Sequence, residues 1–213
     1  MRRRRRSDVV RLVLGVIALL VSMGISSEET IPDWEVDVFR LVNDLPGALY
    51  PVVWPPMQFG TFISIPIATV IALAFRRVRL AIAIAVSGVG VYYLAKVVKD
   101  VVVRLRPGAL LEDVHLRGIG TLGLGFPSGH AAVSAALAVA ISPYVPQVWR
   151  RIIVALAVFV SFARVYVGGH LPLDSVGGAG LGVALASAMH LLMGVPASPA
   201  PTSRDSARSD PAP

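Results

Sequence analysis

Phe126-Pro127-Ser128-Gly129-His130 is the point where a glycine-rich loop runs into an apolar segment. Pro127 fixes its own φ and suits a helix start, and Ser128 is a favoured N-cap. Gly129 lets the backbone approach a ligand closely, and His130 then occupies the first turn. A helix N-terminus presents unpaired N–H groups and a partial positive charge, so this corner is suited to receive an anion. An imidazole placed there can exchange protons with it. The five residues alone also describe an ordinary capped helix with an incidental histidine. What the rest of the chain brings to the corner decides between the two.

Of the 213 residues, 55% are hydrophobic and only 15% charged, and the mean hydropathy is +0.70. That is too apolar for an ordinary soluble domain. Several runs approach the roughly 20 residues that cross a bilayer as a helix. The expected fold class is all-α, a polytopic membrane protein with six transmembrane helices. Residues 1–11 form a basic tail, 12–195 one membrane domain, and 196–213 a Pro/Ser/Ala-rich tail expected to be disordered. The absence of cysteine excludes disulfides and thiolate metal sites. The net charge of +7 comes from arginines flanking apolar segments, which fits membrane topology and speaks against nucleic acid as a partner. Nothing in the sequence specifies an oligomeric state.

Arg2 to Arg6 precede the apolar run 12–25, which has the form of a first span or of a signal peptide. Its exit lacks a clean A-x-A site, which favours an uncleaved helix. Thr30-Ile31-Pro32-Asp33 resembles a capping box. Ile31, Trp34, Val38, Val42 and Leu45 then follow at helical spacing, with Glu35 and Asp37 off that stripe. The pattern predicts a short amphipathic helix on the membrane surface, with Trp34 at headgroup level. Trp54-Pro55-Pro56 marks the approach to a second span over 57–75, with a kink expected at Pro66. Further spans are expected over 80–98, from Gly129–His130 to about 143–146, over 152–167 and over 174–193. The basic N-terminus, the turns at 76–79 and 150–151 and the C-terminal tail hold 13 of the 20 Lys and Arg. Ten of the 13 acidic residues fall in 28–44, 100–113 and at Asp174. The positive-inside rule then puts both termini in the cytoplasm and the starts of the fourth and sixth spans on the outer side.

Three stretches gather charge at that outer end. The first is Lys99-Asp100-Val101-Val102-Val103-Arg104-Leu105-Arg106-Pro107, of which Arg104 is expected to snorkel to headgroups, as is Arg117 further on. The second is the corner at 126–130. The third is Arg164-Val165-Tyr166-Val167-Gly168-Gly169-His170-Leu171-Pro172-Leu173-Asp174. Arg164 follows the apolar run 152–163, and a charge so near the membrane interior is costly enough to mark a functional position. His170 and Asp174 lie four apart at a helix start, where the carboxylate can hold one ring nitrogen and raise the basicity of the other. Such an imidazole is a competent nucleophile or base. Two histidines, an orienting carboxylate and the cations Lys99, Arg106 and Arg164 together suit a phosphate-like anion.

These stretches resemble the type 2 phosphatidic acid phosphatase (PAP2) superfamily, which includes lipid phosphate phosphatases and vanadium haloperoxidases. Its signature K-x6-RP, PSGH and SR-x5-H-x3-D is matched in order by Lys99 with Arg106-Pro107, Pro127 to His130, and Arg164 with His170 and Asp174, within 96–178. The likeness covers about 52–194, and the departure is Ala163, where the family usually has serine. The resemblance implies that His170 attacks phosphorus to form a phosphohistidine and that Asp174 orients it. It implies that His130 acts as general acid and base, and that Lys99, Arg106, Ser128, Gly129 and Arg164 bind the phosphoryl oxygens. No cofactor or metal is implied, and Glu112, Asp113 and His115 read as a solvated loop rather than as ligands. The implied substrate is a membrane lipid phosphomonoester or diphosphate, such as phosphatidate, phosphatidylglycerol phosphate or a polyprenyl phosphate or diphosphate. A phosphotransferase using the same histidine, or a non-catalytic lipid-binding or transport protein, are the alternatives. Gly118-Ile119-Gly120-Thr121-Leu122-Gly123 matches G-x-G-x-x-G, but it lacks a preceding strand and reads as a lid or substrate wall. His190, near the other end of the last span, reads as interfacial.

Overall fold

A computed structural model describes residues 2–118 and 122–196. The tail 197–213 and the middle of the Gly118–Gly123 stretch lie outside the described residues, and so do the expectations placed on them. The described chain is helical: α1 (Arg6–Ser26), α2 (Asp33–Asn43), α3 (Tyr50–Met57), α4 (Ser64–Ala74), α5 (Val78–Val102), α6 (Pro107–Leu110), α7 (Gly129–Ile141), α8 (Gln147–Tyr166) and α9 (Pro172–Met193). A two-residue antiparallel pair, β1 (Arg2–Arg3) with β2 (Val195–Pro196), joins the two ends of the described chain.

Helix α9 is the axis, packed along both α1 and α7. A Cβ on Gly15 would stand 2.7 Å from the carbonyl oxygen of Gly180, and one on Gly180 would stand 2.7 Å from that of Gly15. Glycine at both positions lets the α1 and α9 backbones touch, the usual means of helix association where no water drives burial. Helix α7 carries alanines on most of its faces, buried among α5, α8 and α9. Outward-facing Val, Leu and Ile on α1, α4 and α5 are exposed, as a lipid-facing surface would be.

The expectation of six spans is met in part. Helices α1, α5 and α9 are long and apolar enough to cross a membrane, and a fourth crossing results if the segments Gly47–Gly60 and Ser64–Ala74, bent by 64°, are taken as one. Helix α7 is a shorter apolar helix, and α8 carries Arg150, Arg151 and Arg164. The second span begins earlier than its sequence suggests. Trp54, Pro55 and Pro56 lie inside α3, and the break falls at 61–63 rather than at Pro66. Pro66 sits in the first turn of α4, where its missing N–H costs no hydrogen bond. The break has a partner: a Cβ on Gly60 would meet the backbone oxygen of His130 at 2.6 Å.

Helix α2 departs from its pattern at its start. Its N-cap is Pro32 with no side-chain cap, so the capping box at Thr30 does not form. Its buried face is Glu35, Phe39 and Asn43, whereas Trp34 and Val38 of the apolar stripe are exposed. In an apolar solvent the polar side turns inward, because lipid cannot satisfy a carboxylate or an amide. Ile31, Val42 and Leu45 pack against the edges of the core instead.

Candidate active site

The three charged stretches meet at the end of the bundle opposite the β1–β2 pair. Helix α9 has 22 residues and so separates the two ends by about 33 Å at 1.5 Å per residue. Ser128 caps α7, its Oγ accepting from the Ala131 N–H at 3.4 Å, and its own N–H donates to the backbone oxygen of Asp174 at 2.8 Å. That bond ties the second stretch to the third. Lys99 Nζ donates to the carbonyls of Leu124 and Gly125 at 2.8 and 3.0 Å, and the Gly125 N–H donates to the Arg104 carbonyl, which ties the first stretch to the loop before α7.

The third stretch folds over the end of α8. The N–H groups of Gly169 and His170 both donate to the Arg164 carbonyl, at 3.0 and 3.2 Å. Gly168 turns the corner at φ +76°, a conformation that a Cβ disfavours. His170 follows, only 4% exposed, with Nδ1 3.4 Å from Asp174 Oδ2. That contact is not a formed hydrogen bond, and Nδ1 has none among the described residues, but it sets the carboxylate beside the ring, on which the Gly125 backbone also acts. The Asp174 carboxylate is fully buried and is held twice more, by the Leu171 N–H on Oδ2 at 2.9 Å and by Arg104 Nη1 on Oδ1 at 3.1 Å.

His170 is within electrostatic reach of Arg164, Lys99 and Arg106, and His130 within reach of Arg164, His170 and Arg106. Burial first, and then those three cations, hold the His170 imidazole well below its usual value, so the ring is neutral at neutral pH. Arg164 is 4% exposed; its Nη1 lies 3.9 Å from Met57 Sδ, and its Nε has no hydrogen-bond partner among the described residues. A buried guanidinium so placed retains donors for an anion. A Cβ on Gly129 would meet nothing within 4 Å, so open space fronts the first turn of α7. The structure thus brings Lys99, Arg106, His130, Arg164, His170 and Asp174 together, with Ser128 and Gly129 at the helix start between them. Ala163 is packed in an apolar cluster with Val53, Met57 and Tyr166.

Two cations expected to snorkel do not. Arg104 is 7% exposed and bonded to Ser26, Glu35 and Asp174. Arg117 donates to the carbonyls of Tyr166 and Leu45 at 2.6 and 2.7 Å and stacks over the Tyr166 ring at 4.3 Å. Short of lipid headgroups, each takes protein oxygens that would otherwise be orphaned. His190 is likewise buried rather than interfacial, with Nδ1 3.4 Å from the buried Asp8 carboxylate. Glu35 and Asn43 were not legible as part of this region. Asn43 donates to the carbonyls of His115 and Tyr166 and accepts from the His115 N–H, pinning the loop after α6 to the end of α8. The signal was available in retrospect: both face the side of α2 that an apolar solvent cannot satisfy.

The PAP2 superfamily profile matches residues 76–195. An undecaprenyl-diphosphatase of Sulfolobus acidocaldarius is 31% identical over 173 residues, covering 79% of this chain and 82% of the relative. Among solved structures, LpxE of Aquifex aeolicus superposes with a TM-score of 0.59 at 27% identity, over 72% of this chain and 93% of that one. A PAP2-type phosphatidylglycerolphosphate phosphatase of Bacillus subtilis superposes with a TM-score of 0.70 over 86% of this chain and 96% of that one; at 19% identity it speaks for the fold. The chain belongs to the PAP2 superfamily. As an enzyme it is a membrane-associated phosphatase of that type.

Proposed function

We propose that this phosphatase hydrolyses a lipid phosphomonoester or diphosphate by double displacement at His170. The observation that carries the reading is the cluster in which a buried imidazole beside a buried carboxylate faces a second, half-buried imidazole and three cations. His170 Nε2 attacks phosphorus; the bond from phosphorus to the leaving oxygen breaks, and His130, protonated once the bound phosphoryl anion offsets Arg106 and Arg164, gives that oxygen its proton. Water then attacks the phosphohistidine, His130 takes the proton, and inorganic phosphate leaves as the P–N bond breaks. Lys99, Arg106 and Arg164, with Ser128 and the Gly129 N–H at the start of α7, hold the phosphoryl oxygens and the charge that develops on them.

The likeness to an undecaprenyl-diphosphatase favours a polyprenyl diphosphate among the lipid phosphates. Apolar helices beside the site suit a substrate whose tail stays in the bilayer. Basic residues at the β1–β2 end support a cytoplasmic position for both termini and an extracytoplasmic site. Purified protein is expected to release inorganic phosphate from a panel of polyprenyl diphosphate, polyprenyl phosphate, phosphatidate and phosphatidylglycerol phosphate, with EDTA present. Loss of release on adding chelator sinks the metal-free mechanism. Labelled phosphate appearing in a second lipid instead of as inorganic phosphate identifies a transferase.

Gly129→Ala tests the cradle separately. The added methyl meets no protein atom within 4 Å, so the fold is expected to keep its melting temperature. If phosphate occupies that space, KM rises about tenfold, the equivalent of about 1.4 kcal/mol of lost binding. An unchanged KM places the anion elsewhere.

A further inference from the structure

Behind Asp174 lies an ion pair between Arg104, at an unspecified position of the first stretch, and Glu35, which lies outside all three. Arg104 turns back from the end of α5 and offers one nitrogen, Nη1, to three oxygens: Asp174 Oδ1 at 3.1 Å, Glu35 Oε1 at 3.1 Å and Ser26 Oγ at 3.2 Å. Its Nη2 donates to Glu35 Oε2, so the pair with Glu35 is two-pronged. Glu35 is fully buried and also accepts the Leu173 N–H at 2.8 Å. The same short loop therefore gives one N–H to Asp174, from Leu171, and one to Glu35, from Leu173. Four elements converge on one guanidinium: α1 through Ser26, α2 through Glu35, α5 through its own chain, and α9 through Asp174.

We infer that Arg104, clamped by Glu35, is a positioning residue that keeps the Asp174 carboxylate ionised and turned toward His170. The inference rests on the reading of His170 and Asp174 given above. Asp174 Oδ1 is committed to Arg104, which leaves Oδ2 as the oxygen that faces His170 Nδ1. Without the guanidinium, a buried carboxylate beside a neutral imidazole has only Lys99 and the Leu171 N–H to favour its charge, and it can rotate away from the ring. A two-pronged fork holds direction as well as charge, which a single ammonium does not. Glu35 in turn prevents the guanidinium from swinging to the phosphate, where three other cations already serve.

The competing account is that the pair merely fastens α2 to the bundle. The two accounts separate in a pH profile. The groups that face Asp174 and His170 are Arg104 after α5, Lys99 of α5, Arg106, His130 of α7 and Arg164 of α8. Neutralising Arg104 removes one cation from that set, and a carboxylate that loses its cationic partner is protonated more readily. The acid limb of kcat for polyprenyl diphosphate hydrolysis by full-length Arg104→Gln is therefore expected to move to higher pH by about one unit, with kcat down about tenfold or more and KM within about threefold. Arg104→Lys is expected to restore the limb but not the whole of kcat. In an Asp174→Asn background, adding Arg104→Gln is expected to cost less than about twofold more, because the residue it positions is already lost. Arg104→Gln leaves Glu35 as an orphan buried charge, so the double variant Glu35→Gln with Arg104→Gln, which carries no such charge, is measured beside it and is expected to show the same upward shift. A limb that stays in place while only the melting temperature falls overturns the inference, and so does a full multiplicative loss on top of Asp174→Asn. His170→Ala run in parallel keeps the two questions apart. Activity retained there sinks the phosphohistidine reading, whereas an inactive His170→Ala beside an unmoved Arg104→Gln profile sinks this inference alone.

Discussion

His170→Ala is expected to abolish phosphate release from every lipid phosphate that the wild-type protein cleaves, by about 10⁴-fold or more, as loss of a covalent nucleophile does. The protein should fold, because the change removes a ring from the polar end of the bundle and leaves the loop bonds from Gly169 and His170 to the Arg164 carbonyl intact. Two further measurements separate loss of the nucleophile from damage to the cradle. Wild-type protein quenched in alkali after mixing with labelled substrate should carry label on His170, and the variant none. Binding of inorganic phosphate, which needs the cations and not the imidazole, should fall by less than about tenfold in the variant, since a neutral ring supplies at most one ordinary hydrogen bond. The pH dependence follows from the same surroundings. The working form of His170 is the neutral ring, and burial together with Arg164, Lys99 and Arg106 disfavours its protonation. The acid limb of kcat/KM is therefore expected well below the ordinary imidazole value of about 6.5. A limb at or above that value, or label found on another residue, overturns the assignment of the nucleophile.

His130→Ala is expected to be the second most damaging change, and its signature differs. Proton transfer to the leaving oxygen contributes about 10²–10⁴-fold, and that factor is lost for an alkyl phosphate whose alkoxide leaves poorly. An aryl phosphate with an acidic phenol needs no such help. Its first step should survive in the variant while the second, which requires an activated water, is slowed. Phosphohistidine should then accumulate from p-nitrophenyl phosphate in His130→Ala, as a burst of nitrophenolate followed by slow turnover. Equal losses for alkyl and aryl substrates, with no burst, would place His130 in binding rather than in proton transfer.

The cluster of candidate residues was largely legible in the sequence because they come in short strings whose spacing fixes their relation. Four residues from His170 to Asp174 across a helix start, or a Pro-Ser-Gly-His corner, constrain geometry locally. The membrane character was legible for the same reason, since a run of apolar residues needs no distant partner to be read. What escaped was long-range. Arg104 and Glu35 are 69 residues apart, and nothing near either one announces the other. Snorkelling is the default for an arginine at a helix end, and it fails here because a carboxylate from a surface helix reaches the guanidinium first. Helix α2 withheld a second relation: its apolar stripe reads as a face turned to the membrane surface, and nothing in that pattern says that Glu35 and Asn43 on the other side bond to Arg104 and to the chain at His115 and Tyr166. The break at 61–63 was missed because proline draws attention to itself, while Gly60 needs the nearby backbone of His130 before its purpose shows.

Helix α2 has one more consequence. Trp34, Val38 and Leu41 point outward from it, and Glu35, Phe39 and Asn43 point inward. One short helix thus has two dissimilar faces, an apolar one left exposed and a polar one bonded to Arg104, to the Leu173 N–H and to the chain at His115 and Tyr166. A displacement of that helix cannot leave the loop before Asp174 unchanged, because the Arg104 guanidinium and the Leu173 N–H must follow it or lose a partner.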